Sequence, residues 1–536
     1  MRRRKQTVVL AVLAAARALA IGAVASLANP ISGPALTDVP AANTKSAGYA
    51  PASKLSPELR QIVVAQGSTK LDGAMPQISY YGYDNDVVSA AGEPQMLPTP
   101  SVSNEAHKTE PDKNTYLVFP QGLSGPDSSY DYGTHFLFQG HEGGSPGYIT
   151  RINLDADAAH RVTLLATTDS NGVPLVTIDG STWDPWAQRL LFTTESQNAP
   201  TYAATSGYPS TVEDVSGALG RGGYEGIQDD GDGNIWIVED IGGTNKSGTT
   251  AKVPNSFVYR YVPWHPGDLA HGKLEVLQVL AADGHPITQA TQTPVNAPDQ
   301  LALHVYGSSF RTQWVTIHDT ATDGDSPFNA NVLAKAASGT PFKRPENGVF
   351  RPSMHFTQFY LDETGDTNAT SVENENAGGW DSIFHLTQDG PSANTGRLSI
   401  FYKGDEAHAG FDNIQFLSRD ALAVVEDAGD TLHGQRNALD SGYVFDAAAD
   451  YSSSANQPLR WLAEGRDASA TIDSAFGGFG KNDGDNEITG IHVSDGDPSV
   501  HGVLGTDAPN LFHGGWRWFY TQQHGDNSTY EVVPAG

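Results

Sequence analysis

Two stretches of the chain carry the same arrangement of acids. Residues 225–240 read EGIQDDGDGNIWIVED, and residues 412–427 read DNIQFLSRDALAVVED. Each opens on a carboxylate, Glu225 or Asp412, and passes through a polar turn and a short apolar run to end in Val-Glu-Asp. Glu239 and Glu426 each lie 14 residues after the opening acid. Further candidates for one set are Glu142 in GHEGG, Glu195 in FTTES, Glu346 in RPENG and Glu487 in NEITG. Converging carboxylates repel one another and largely protonate unless cations sit among them. An oxygen-only ligand set suits hard cations such as Ca²⁺, Mg²⁺ or Mn²⁺. Arg344 lies two residues before Glu346, so on an extended segment both side chains face the same way. A guanidinium beside metal-binding carboxylates suits bidentate capture of two phosphate oxygens. The bland reading of any one acid is a strand end on an acidic protein, and of Arg344 a surface ion pair. The matched spacing and flanks of the two long stretches favour a shared site.

Other motifs point less sharply. DDGDGN (229–234) and NDGDNE (482–487) resemble calcium loops, lack the full EF-hand spacing and equally make hairpin turns. The Gly-rich RGGYEG and GGFGKNDG are not followed by the Lys-Ser pair of a nucleotide loop. His141, His492 and His524 do not fall into H-E-x-x-H or H-x-H spacing and read as structural polar residues.

The elements that must position these acids are short strands. TYLVF, THFLFQ, RLLFTT, NIWIVE, SFVYRYV, TQWVTI, HFTQFYL, LSIFY, ALAVVE, GYVFD and WRWFY follow one another, separated by Gly, Pro, Asn and Asp clusters. This is an all-β pattern. The best helix candidate is SPFNANVLAKAASG (326–339). The two matched units, with weaker relatives at 179–196 and 346–365, suggest the radial repetition of a β-propeller. There the innermost strands run along one channel, and acids at equivalent strand ends form a ring. The roughly 460 residues from 76 to 536 suit six or seven blades.

Composition bounds the partners. The chain has 536 residues, 62 acids against 32 bases, and a formal charge of −30, which disfavours nucleic acid and anionic membranes. Residues 1–28 pair a basic MRRRK start with an apolar stretch and small residues at Ser26 and Ala28. They read as a signal peptide, whose paired arginines admit twin-arginine export, for a secreted or periplasmic protein. Residues 29–75, rich in Ala, Pro, Ser and Gly, read as an N-terminal arm with one helical turn around SPELRQIV. Residues 76–536 read as the propeller, a monomer with no membrane contact once the signal is cleaved. With no cysteine in the chain, neither disulfides nor thiolate ligands are available.

DGSTWDPWAQRLLFTTES, GRGGYEGI…IWIVED, FKRPENGVF, FDNIQF…VVED and NEITGIHVSDGD occur in an order that resembles the PhoX-type alkaline phosphatases over roughly residues 75–525. The resemblance implies an exported six-bladed propeller that hydrolyses small phosphomonoesters with calcium and iron. It implies metal ligation by Glu225, Glu346, Asp412 and Glu487, with Glu195 beside the cluster and Arg344 on the phosphate. The family's iron-binding cysteine is replaced by Thr194. Ca²⁺ is therefore the metal expected to be retained, and Fe³⁺ the one put in question. Two other functions compete: a catalytically silent calcium-bound binding module, and a metal-dependent lactonase, whose neutral substrate needs no anion clamp.

Overall fold

The computed structural model describes residues 35–45, 51–86, 88, 92, 94, 106–465, 487–523 and 527–536. The signal segment 1–28, most of NDGDNE and His524 lie outside the described residues. The sheets are built mainly from consecutive antiparallel strands; Lys70–Met75 joins Val162–Ala166 in parallel. The first continuous run is Thr115–Val118, His135–Gly140, Ile149–Asn153 and Val162–Ala166, extended by Lys70–Met75 and Ile78–Tyr80. The second is Ile178–Asp184, Arg189–Thr194, Tyr202–Ala204 and Val212–Asp214. A nine-stranded sheet begins at Tyr224–Asp229, runs outward to Phe310–Asp319, pairs there with Thr395–Lys403, and returns to Gly348–Phe350. The remaining two sheets begin at Phe411–Phe416 and Glu487–Ser494. Four separate sheets and one nine-stranded sheet thus make an all-β, propeller-like arrangement.

Among the described residues, six strands touch one another in a closed ring at the centre. Thr115–Val118 touches Ile178–Asp184, which touches Tyr224–Asp229. Contacts continue through Gly348–Phe350, Phe411–Phe416 and Glu487–Ser494 back to Thr115–Val118. Each sheet is covered on both faces by its neighbours, which is why runs such as Leu190-Leu191-Phe192 are apolar throughout rather than alternating. Large aromatics fill the spaces between sheets. Trp461 and Trp518 lie with ring centroids 4.4 Å apart, and Trp236 packs edge-on against Trp314 at 5.0 Å.

The helix expected within 326–339 forms as Ala330–Ala336, capped by Asn329, whose side chain accepts from the Val332 N–H at 2.8 Å. The helical turn expected at SPELRQIV does not form. Leu59–Ala65 is a strand that pairs with Ser528–Pro534, and Lys54–Leu55 pairs with Leu459–Ala463. The β-branched run Ile62-Val63-Val64 suits a pleated edge better than a helix, and the C-terminal sheet offers an open strand to receive it. Part of the segment expected to be an arm is therefore sheet, and it joins the two ends of the fold.

Candidate metal centre

The matched stretches are hairpins in the same register. Tyr224 pairs with Glu239 and Phe411 with Glu426, and each inner strand carries a bulge immediately afterwards, before Ile227 and Ile414. Glu225-Gly226 and Asp412-Asn413 are the bulged residues, and a bulge re-aims side chains. The hairpin of the second sheet repeats this: Ile178 pairs with Thr194 beside a register shift, which puts Asp179 in the place of Glu225. Glu346 precedes the inner strand Gly348–Phe350, Asp112 precedes Thr115–Val118, and Glu487 opens the sixth. Each of the six inner strands thus brings one acid to the same end.

Three overlapping groups of oxygens can each hold a cation: Asp112, Glu142 and Asp179; Asp179, Glu195 and Glu225; Glu225, Asp240 and Glu346. Within each group one oxygen per residue lies within 4.8 Å of the others, close enough to share an ion at 2.3–2.6 Å. Asp412 and Glu487, expected as ligands, are in none of these three groups and join the cluster through its electrostatics. Asp412 acts on Glu346, and Asp412 and Asp112 act on Glu487. The strands must approach closely for this. A Cβ on Gly180 would stand 2.0 Å from the Glu225 carbonyl oxygen, and one on Gly226 would stand 2.8 Å from Asn347 Oδ1. Only glycine fits at either place.

Burial pushes the carboxyls of Asp179, Glu225, Glu346, Asp412, Glu142 and Glu487 well above the usual range, and neighbouring acids add to it. Glu195, at the solvent-exposed mouth, is raised to about 7 by the protein packed around it and by Asp240. Arg344 sits among these acids. Its Nε donates to Asp240 Oδ2 at 2.9 Å and its Nη2 to Glu346 Oε1 at 3.2 Å. Burial would lower its pKa, but Asp240 and Glu346 outweigh burial and raise it. Its backbone is held at φ 56°, in the left-handed region that a side chain larger than glycine rarely adopts. Such strain is often kept at functional positions. Asp240 Oδ1 is buried without a hydrogen-bond partner, an orphaned acceptor suited to a cation.

The structure does not bring Glu239 and Glu426 into these groups. Glu239 Oε2 accepts from the Phe257 N–H, the Tyr259 hydroxyl and Asn331 Nδ2. Glu426 accepts from Ala409 N and Ser441 N and is paired with Arg436 at 3.1 Å. In each Val-Glu-Asp the glutamate ties its strand to the next strand of the same sheet and to a nearby helix, through Asn331 in the first and Arg436 in the second. In the first of them the following aspartate, Asp240, belongs to the cluster; Asp427, its counterpart in the second, acts electrostatically on Asp412 and Glu487. Thr194 occupies the register position of Glu239 and likewise turns away, its hydroxyl donating to the Pro200 carbonyl at 2.7 Å. Asp112, Asp179 and Asp240 are the cluster residues that the sequence reading missed. Asp179 was marked by its place at the head of the weaker repeat. His141 stacks on Tyr148 and contacts Thr150 Oγ1, and His492 Nε2 accepts from the Tyr116 N–H. DDGDGN closes on itself, with Asp230 Oδ1 accepting from Asp232 N and Asn234 N.

This assignment separates two variants. Asp240→Asn is expected to weaken divalent-cation binding about tenfold or more, as loss of a ligand or its immediate support does. Glu426→Gln is expected to cost about 3 kcal/mol of stability by stranding part of the Arg436 charge, with calcium affinity unchanged. Calorimetric titration with calcium and thermal melts of both proteins check this. An unchanged affinity in Asp240→Asn removes that residue from the site.

Fold and site together define an all-β, propeller-like protein with a central carboxylate cluster. No family model and no curated protein sequence matches the chain. Among solved structures it is similar to Pseudomonas fluorescens PhoX in complex with vanadate, a transition state analogue, at 13% identity and a TM-score of 0.49, over 92% of this chain and 98% of that one. It is also similar to XC5397 from Xanthomonas campestris, a gluconolactonase, at 12% identity and a TM-score of 0.34, over 92% and 99%.

Proposed function

We propose that the protein is an exported, monomeric, calcium-dependent phosphomonoesterase on a six-bladed propeller. In this reading the nine-stranded sheet is two blades joined at their outer edges, one for each of its two central strands. The observation that carries the proposal is Arg344, a guanidinium seated on Asp240 and Glu346 within the acidic cluster. A chain of this net charge repels an anionic substrate, and a clamp at the site itself is what an anion would need. A neutral lactone would not.

Asp112, Glu142, Asp179, Glu195, Glu225, Asp240 and Glu346 are the residues that would hold calcium, with Asp412 and Glu487 adding negative charge. Every donor is oxygen, which fits a hard cation. Bound there, calcium would neutralise phosphate charge and lower the pKa of an attacking water. Arg344 has N–H groups beyond the two engaged with Asp240 and Glu346, and these can donate to equatorial phosphate oxygens as charge builds. The Thr364 hydroxyl, donating to Glu346 Oε1 at 2.7 Å, fixes that carboxylate's orientation.

The purified protein is expected to hydrolyse a chromogenic phosphomonoester when supplied with calcium, to lose the activity in chelator, and to be inhibited by vanadate. No turnover with calcium, alone or with added Fe³⁺, would leave a calcium-binding module. Turnover of a lactone in place of the phosphoester would make it a lactonase.

A further inference from the structure

The residue that follows each ring acid is Lys113, Gly180, Gly226, Asn347, Asn413 or Ile488. Lysine is the exception among small, amide or apolar neighbours. Lys113 is only 4% exposed. Its ammonium donates to Asn413 Oδ1 at 2.8 Å and lies 3.4 Å from Asn347 Oδ1, and among the described residues it makes no direct ion pair. The carboxylates of Asp412, Asp112, Asp362 and Asp179 act on it through space. A buried ammonium of this kind is costly unless the surrounding field repays it. Amide oxygens in contact and carboxylates around them are also the surroundings a hard metal ion would choose.

The contacts extend into the acid ring. Asn413 gives its carbonyl to Lys113 and turns its Nδ2 to both oxygens of Asp412, at 2.9 and 3.0 Å, and to Thr489 Oγ1 at 3.1 Å. The Thr489 hydroxyl donates in turn to Asp112 Oδ1 at 2.6 Å. Lys113 thus fixes which end of Asn413 faces Asp412, and through it the aim of two acids contributed by different sheets.

We infer that Lys113 is a built-in axial cation, a positioning residue that fills with an ammonium a place the ring would otherwise give to a divalent ion, and so sets how many ions the centre takes. This rests on the metal-binding reading of the carboxylate cluster. Wild type and Lys113→Met, both stripped with chelator, are equilibrated with excess calcium and desalted. Calcium per chain is counted by elemental analysis, with melting temperatures recorded alongside. The expected result is one calcium more per chain in Lys113→Met, and a larger rise in its melting temperature on adding calcium. If the variant is unfolded without metal, calcium is expected to refold it where sodium chloride of equal ionic strength does not. Equal calcium content in the two proteins, or a variant that calcium fails to refold, overturns the role of Lys113 alone. A wild type that binds no divalent cation overturns this inference together with the reading on which it rests.

Discussion

Stripped of divalent cations, the protein is expected to melt at progressively lower temperature as pH rises from about 5 to 8, and saturating calcium is expected to remove most of that slope. The sign follows from the cluster. Burial and then mutual repulsion hold Asp179, Glu225, Glu346, Asp412 and Glu142 well above the usual range, and Glu195 moves from 4.5 to about 7. Between the unfolded and folded pKa values the folded chain keeps protons that the unfolded chain has released. Stability is therefore full at low pH and is lost as pH rises. Each such proton costs about 1.4 kcal/mol per pH unit. The five more deeply buried groups alone make a fall of roughly 5–10 °C a modest expectation for a chain of this size, the exposed Glu195 adding less because water screens it. Calcium at the cluster would bind the ionised form and so reverse the effect. Glu239, raised to about 8 by burial away from the cluster, leaves a residual slope. Calorimetric scans across this range, in chelator and in calcium, decide the matter. Parallel curves in the two conditions would mean that the acids do not share an ion.

Arg344→Ala is expected to lower kcat/KM on a phosphomonoester by about 10²–10³, the scale for losing one preorganised donor to developing charge. Vanadate binding should weaken with it, while calcium content stays the same, because a guanidinium donates to anions and ligates no cation. In chelator the same variant should be the less stable protein, since Asp240 and Glu346 lose the partner that offsets them. Arg344→Gly is the useful companion: it removes the clamp and also relaxes the backbone held at φ 56°, so it should melt above Arg344→Ala with equal loss of activity. Joint loss of calcium and activity would make Arg344 a structural residue.

Much of the framework was legible from residue pattern. The 14-residue spacing is the length of an inner hairpin, and both copies form in one register. ALAVVE is a strand with the same limits in the fold, Ala421–Glu426. What could not be read was which of two adjacent acids faces the centre. An even spacing suggests that Glu225 and Glu239 share a face, but the turn and the bulge after Tyr224 break that parity, and Asp240 joins the cluster. Asp112 escaped notice because its position depends on how the first sheet meets the last. Its carboxylate is held by Thr489 and Gln523, contacts that nothing local in the sequence announces.

The pairing of Leu59–Ala65 with Ser528–Pro534 has a kinetic consequence. Closing a very long loop costs little more free energy than closing a short one, since each doubling adds only about 0.6 kcal/mol, but that entropy must be spent before non-local contacts repay it. Until the last strand of the chain meets one of the first, the ring of inner strands stays open between Glu487–Ser494 and Thr115–Val118, which holds Glu487 apart from Asp112. Their repulsion is felt only as these two ends converge, so it acts on the final step of assembly more than on the sheets that precede it. Calcium present at that moment would act as a folding catalyst as well as a ligand, and an emptied centre would be felt first as slow closure.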